Sequence, residues 1–181
     1  SDNPPYLILS QPKDQRSWMY HLHGALHIYS IDGEARKHRY QYEQRPLIDT
    51  ICEGIRKSEY PLFVAEGSAN QKMKQIRSNM YLSMCFGELV RSSRDLVCYG
   101  MSFGESDNHI SDAIADNRGI NRLFVGLYGH WESESNLKVR AAISRILERR
   151  KHLPGYKSTL DVEYFDSETA YVWTPNFDDI D

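Results

Sequence analysis

Asp95-Leu96-Val97-Cys98-Tyr99-Gly100-Met101-Ser102-Phe103-Gly104 is the stretch on which the fold turns. Asp95 to Tyr99 is a short run of strand length bounded by glycine. Asp107-Asn108-His109-Ile110 then opens a helix that carries Ile110, Ala113 and Ile114 at helical spacing and stops at Gly119. Strand, glycine turn and helix in that order predict a βα unit. Glycine turns the chain tightly and lets a ligand approach the backbone. The N–H groups that follow, at a helix N-terminus, favour an anion such as a pyrophosphate. The plainer reading is a strand-to-helix turn that needs glycine for conformation alone. Asp107 is in the same way an N-cap first and a ligand contact second.

Outward from this unit the same alternation continues. Downstream, Leu123 to Tyr128 and Leu160 to Phe165 read as strands on either side of an amphipathic helix from Leu137 to Arg149. The acidic tail, residues 167 to 181, is expected to be partly disordered. Upstream, Ser68-Ala69-Asn70-Gln71 has the form of a capping box. It predicts a helix with Met73, Ile76 and Met80 inward, and a second stripe of Tyr81, Leu82, Cys85, Phe86 and Leu89, either continuous with the first or broken near Ser78-Asn79. Leu62 to Ala65 reads as a buried strand, and Leu47, Ile48, Ile51 and Ile55 as a helical stripe ending before Pro61. Tyr20 to Tyr29 reads as a strand with Tyr20, Leu22, Leu26 and Ile28 on one face and His21, His23 and His27 on the other. Residues 30 to 45 read as a polar excursion around Gly33, a candidate lid in which Arg36, Lys37, His38 and Arg39 are solvated.

Strands alternating with helices predict an α/β fold, Rossmann-like, with a mainly parallel sheet and helices on both faces. Residues 1–181 then form a single domain or domain fragment. Ligands in such sheets bind beyond the carboxyl ends of the strands. That selects the end of the His23 strand, Glu66-Gly67-Ser68, and the segment from Gly100 to Asp107.

Bulk properties narrow the function. The chain has 181 residues, 40% of them hydrophobic and 26% charged, with a formal net charge of −3. That is ordinary globular composition, with nothing to attract a nucleic acid. Its apolar runs are far too short for a membrane span, and no secretory signal opens it. Cys52, Cys85 and Cys98 are too few and too widely spaced for a disulfide framework or a cysteine zinc site. A cytoplasmic protein is expected, with a homo-oligomer as one option.

Two further chemistries are legible. Gly100-Met101-Ser102-Phe103-Gly104 also fits G-x-S-x-G, the nucleophile elbow of serine hydrolases, with Ser102 as nucleophile. That reading requires an acid and then a histidine later in the chain, and no histidine follows the last strand. The histidines of the first strand could hold a zinc ion only in part. His21 and His23 are within reach of one ion, His27 lies too far along an extended strand, and Glu66 would have to complete the set. Hydrogen-bonded histidines and no metal are the preferred reading.

Taken in order, several segments resemble the sirtuin-like superfamily, and most closely an uncharacterised bacterial branch related to NAD-cleaving phage-defence domains. They are Tyr20-His21-Leu22-His23-Gly24-Ala25-Leu26-His27, Pro61-Leu62-Phe63-Val64-Ala65-Glu66-Gly67-Ser68, Asn79-Met80-Tyr81-Leu82, Tyr99-Gly100-Met101-Ser102-Phe103 and Asp107-Asn108-His109-Ile110. The resemblance covers roughly residues 18 to 128. It implies NAD as cofactor, with no metal. His23, of the His23-Gly24 pair, would be the catalytic histidine acting on the nicotinamide ribose. Gly100-Met101-Ser102 would stand where the family has Gly-Thr-Ser against the NAD backbone. Glu66 would be a second catalytic group, and Gly24, Gly67, Ser68, Phe103, Asp107 and His109 would complete the nucleotide contacts. The family's first glycine-rich loop and Asn motif have no counterpart before Trp18, and the four-cysteine zinc module is absent. The resemblance thus implies a fold incomplete at its N-terminal side, NAD hydrolysis only in a longer parent, and no classical deacylase activity. Three functions stay open: an NAD- or ADP-ribose-binding domain that cleaves NAD in its parent, a non-catalytic nucleotide-sensing or structural module, and a serine hydrolase.

Overall fold

A computed structural model describes residues 6–9, 19–38, 46–154 and 159–170. The chain divides into two compact units, Ser1–Glu88 and Leu89–Asp181.

In the first unit the strands are β1 (Tyr6–Ile8), β2 (Gly24–Ile31), β3 (Glu34–His38) and β4 (Pro61–Phe63). They form one sheet in the order β1-β3-β2-β4, every pair antiparallel. The reason is the two-residue turn Asp32-Gly33, whose positive φ angles of 52° and 80° follow the strand twist and close a hairpin at Ile31↔Glu34. The expected excursion over 30 to 45 is therefore wrong for residues 30–38. These residues are the end of β2, a turn and β3, and residues 39–45 lie outside the described set. Nor is the basic cluster solvated loop: Arg36 on β3 pairs with Glu34 at 2.8 Å, and His38 is buried and stacks on Tyr29 with ring centroids 4.4 Å apart.

The helices of this unit are α1 (Leu47–Arg56), α2 (Ala69–Ser78) and α3 (Met80–Arg91), which runs across the division. Gly54 of α1 lies against His38, where a Cβ would stand 2.9 Å from the imidazole Nε2. The expected capping box is formed: Gln71 N–H donates to Ser68 Oγ at 3.4 Å, and Ser68 N–H donates to Gln71 Oε1 at 2.8 Å. The helical run breaks at Asn79, whose φ of −119° and ψ of 127° are extended and whose side chain accepts from Leu82 N–H at 3.1 Å. Ile28, Ala35, Val64, Ile76, Tyr81, Leu82 and Cys85 make the core, with Met73 packed against it. Met80, expected inward, is exposed.

The second unit follows the expected alternation: β5 (Arg94–Cys98), α4 (Asn108–Asp116), β6 (Ile120–Leu127), α5 (Glu134–Lys151) and β7 (Asp161–Asp166). Helical crossovers bring each strand back in the same direction, and the sheet β5-β6-β7 is parallel. The expectation of a mainly parallel sheet thus holds here and not in the first unit. On β6, Leu123, Val125 and Leu127 are buried, while Arg122 is exposed and Phe124 and Gly126 are half-buried. Val97 on β5 is 61% exposed, unlike the doubly covered strands expected of a parallel sheet.

The unit is tied by two polar side chains. Arg150, near the end of α5 and 4% exposed, donates to the carbonyls of Asn117 at 2.9 Å and Ile120 at 2.6 Å. Asn117 ends α4: its Nδ2 donates to Ser92 O at 2.8 Å and its Oδ1 accepts from Gly119 N–H at 2.8 Å. The expected stop at Gly119 is accordingly made by Asn117. Residues 167–170, placed in the tail by sequence, form a short 3-10 turn with Ser167 buried, and 171–181 lie outside the described residues. Among the described residues no helix is long and apolar enough to cross a membrane.

Candidate functional site

The expected site residues fall in both units. His23, Gly24, Glu66, Gly67 and Ser68 belong to the first. Leu22-His23 is a turn, closed by Gly24 N–H donating to His21 O at 3.0 Å. The His23-Gly24 pair therefore opens β2; the expected strand from Tyr20 starts four residues late. Gly24 has φ +74°, and a Cβ there would lie 1.9 Å from Leu62 O, so only glycine lets β4 pass. Val64 N–H donates to His23 O at 2.8 Å. This bond brings His23 and the chain leaving β4 to one end of the sheet, and Glu66 follows two residues on, exposed. Gly67 has φ +106° before the N-cap. Ser68 Oγ is engaged in the capping box, a role that competes with contact to a cofactor.

The turn at Leu22-His23 also changes the histidine geometry. His21 and His27, expected too far apart on an extended strand, stand edge to face with ring centroids 5.3 Å apart. Burial holds both imidazoles below the usual histidine range, and the neighbouring Lys37 adds to the effect. Behind the turn, burial pushes the Tyr81 hydroxyl and the Cys85 thiol above their usual ranges, and the two side chains hydrogen-bond each other and the His21 backbone. Cys85 is therefore an inert thiol that helps seat the turn on α3.

Gly100, Ser102, Phe103, Asp107 and His109 belong to the second unit. Gly100 leaves β5 with φ +68°, and among the described residues beyond its chain neighbours nothing lies within 4 Å of where its Cβ would be, so the backbone is open to a ligand. Ser102 is exposed. Phe103 is 2% exposed and holds φ +52°, an uncommon conformation for a non-glycine residue. Asp107 occupies the N-cap position of α4 without making the expected side-chain capping bond, and its own N–H donates to Gly104 O at 2.9 Å. His109 is buried in the first turn of α4. Cys98, one residue before Tyr99, is a buried thiol pushed up to about 11 by desolvation.

A cleft of about 860 Å³ opens where these strands end. The loop from Gly100 to Glu105 after β5 lines it, with Gly126 and Tyr128 at the end of β6 and Ser167 after β7. Helix α5 completes the wall, its first turns bringing Glu134 and Lys138, ion-paired at 2.6 Å, and its middle Arg145. Asp107 and His109 are not among the lining residues. Sequence reasoning found the Gly100 wall and missed the other two. Asn136 of α5, 4% exposed, fixes the missed loop by donating to Tyr128 O at 3.0 Å and His130 O at 2.8 Å. Its signal was present in Gly129 followed by Ser133, which caps α5 by accepting from Asn136 N–H at 3.3 Å. Ser167 had no such signal, because its burial depends on its seat beside Gly126.

Together these features define an α/β protein with an open cleft at the carboxyl edge of a parallel sheet, fronted by a glycine loop. Residues 5–173 match the family described as Domain of unknown function (DUF4917), and the chain belongs to that family. No curated protein and no solved structure matches the chain significantly.

Proposed function

We propose that this protein binds a nucleotide of the NAD or ADP-ribose type in the cleft of its second unit, as a sirtuin-like, Rossmann-like domain. The observation that carries the reading is the 860 Å³ cleft beyond the ends of β5, β6 and β7, with the open backbone of Gly100 at its mouth. Such a cleft is of ligand size, and the carboxyl edge is where open parallel sheets take nucleotides. Phosphates over the Gly100–Gly104 loop would meet backbone N–H groups with no side chain at Gly100 in the way.

The resemblance also implies NAD hydrolysis at the nicotinamide ribose in a longer parent. The resemblance assigns His23 to that step: a neutral imidazole orients or deprotonates a ribose hydroxyl. A carboxylate such as Glu66 stabilises the positive charge that develops on the sugar. The hydrolase reading of Ser102 has less support, because an elbow strains the nucleophile itself and here the left-handed residue is Phe103.

Calorimetric titration with NAD and then ADP-ribose tests the proposal. Saturable binding is expected, lost in Gly100→Asp with the circular dichroism spectrum unchanged. The absence of any saturable heat with the unaltered chain overturns it. In the parent, His23→Ala should abolish nicotinamide release.

A further inference from the structure

A second cavity of the second unit, about 260 Å³ in volume, lies between α4 and α5. Ser111 and Ala115 stand one turn apart on α4 and share a face, as Ala142, Ile146 and Arg149 do on α5. Arg149 bridges the helices, to Asp112 at 2.8 Å and to Asp116 at 2.7 Å. Ser111, Ala115 and Ala142 are too short to fill the space these bridges span.

Two groups on the wall of this cavity are left over. Ser111 is 8% exposed, and its hydroxyl, sealed from solvent, has no hydrogen-bond partner among the described residues. A helical serine can return its hydroxyl to the carbonyl one turn back, and Ser111 forms no such bond. Buried hydroxyls are rarely left so, because nothing offsets their lost hydration. The second group is Arg145, which is exposed and makes no ion pair among the described residues. The acids around it are engaged elsewhere: Asp112 and Asp116 by Arg149, and Glu148 by Lys151 at 3.0 Å and His152 at 3.1 Å. Asn108, also on the wall, adds an amide. The acids thus gather with Arg149, and Ser111, Arg145 and Asn108 bring donors from both helices. Donors on two walls suit a tetrahedral oxyanion, and a guanidinium fork matches two of its oxygens.

We propose that Ser111 and Arg145 bind a phosphate group in the cavity between α4 and α5. Arg145 supplies the charge, and a turn about χ1 carries the Ser111 hydroxyl from its sealed position to a phosphate oxygen. Arg145 also lines the larger cleft, so the phosphate is either a free anion or the end of a ligand that reaches in from there. The site goes beyond the nucleotide reading and stands without it.

The test is titration of the whole chain with inorganic phosphate at constant ionic strength, followed by ³¹P line broadening and by thermal melting. The expected result is saturable broadening and a rising melting temperature, neither reproduced by sodium chloride. Ser111→Ala should bind phosphate about tenfold more weakly, yet melt no lower than the unaltered chain when phosphate is absent, because it removes a hydroxyl that nothing satisfies. Arg145→Gln should abolish the broadening. Ribose 5-phosphate, titrated in parallel, separates the two sources: tighter binding than phosphate identifies a phosphomonoester, weaker binding the free anion, and either supports the site. No saturable response to either compound overturns the proposal, as does unchanged affinity in Ser111→Ala. A lower melting temperature of Ser111→Ala without phosphate also overturns it, by showing that the hydroxyl serves the fold. Equal saturation by acetate overturns the assignment to phosphate.

Discussion

The two units are built from similar short strands and amphipathic helices, and they order them in opposite ways. In the first, β2 returns as β3 through two residues, and neighbouring strands run antiparallel. In the second, α4 and α5 fill the intervals between β5, β6 and β7, and all three strands run the same way. Connection length, rather than strand composition, sets the direction. The difference has a functional side. Only where every strand points one way do several loops and helix N-termini converge at one edge, and the 860 Å³ cleft opens at that edge.

The sharpest way to break the first unit is Gly24→Ala. It forces a side chain into a left-handed position and against Leu62 O. The expected loss is about 4 kcal/mol, from strain and overpacking together, measured by urea denaturation. Hydrogen exchange should locate the damage in β2 and β4. Protection in β5–β7 that fell as much as in β2 would show that the two units do not respond separately.

In the second unit the corresponding weak point is a buried cation, Arg150. Arg150→Met keeps much of the volume but leaves the carbonyls of Asn117 and Ile120 without their donor. About 3 kcal/mol should be lost, with exchange rising in α4 and β6 first. A loss below about 1 kcal/mol would mean that the hydrophobic contacts of α5 hold the unit without the guanidinium.

The contrast also explains what could be read from the sequence. In the second unit the order of strands and helices was legible, because each of these elements carries its own period. In the first, the Ser68 capping box was legible, as local devices are, while a break near Ser78-Asn79 stood as one of two alternatives. The hairpin was not recognised, although Asp32-Gly33 between alternating runs is a direct hairpin signal; the basic residues after it drew the reading towards loop. The histidine geometry was out of reach for a different reason. A period-2 reading of residues 20–29 assumes an extended backbone, and the turn at Leu22-His23 breaks that assumption. Ser167 was illegible because nothing in Asp166-Ser167-Glu168 marks a hydroxyl that tertiary packing against Gly126 buries.

The smallest expected effect separates the units by pH. In the first, desolvation lowers the proton affinity of His21, His27 and His38. Lys37 reinforces this at His21 and His27, while Glu59 partly opposes it at His38. Unfolded histidine titrates near 6.5, so between that value and the lower folded ones the unfolded chain binds more protons. Stability therefore rises with pH in this window: it is fully present above about 6.5 and is lost as pH falls through the folded values. The resolved carboxylate shifts of the second unit, at Asp95, Glu134 and Glu148, are also downward, caused first by hydrogen bonds to Arg122, Lys138 and Lys151. They act only at more acidic pH, below the ordinary carboxylate range. Acidification from pH 7.5 to 5.5 should thus loosen β2–β4 while leaving β5–β7 protected, read by hydrogen exchange at the two values after correction for intrinsic rates. Replacing His21 and His27 together with Gln, which stays neutral, should flatten the response of the first unit. If the flattened response appeared in the second unit instead, or the first unit responded as before, the histidine pair would not be the acid-sensitive element.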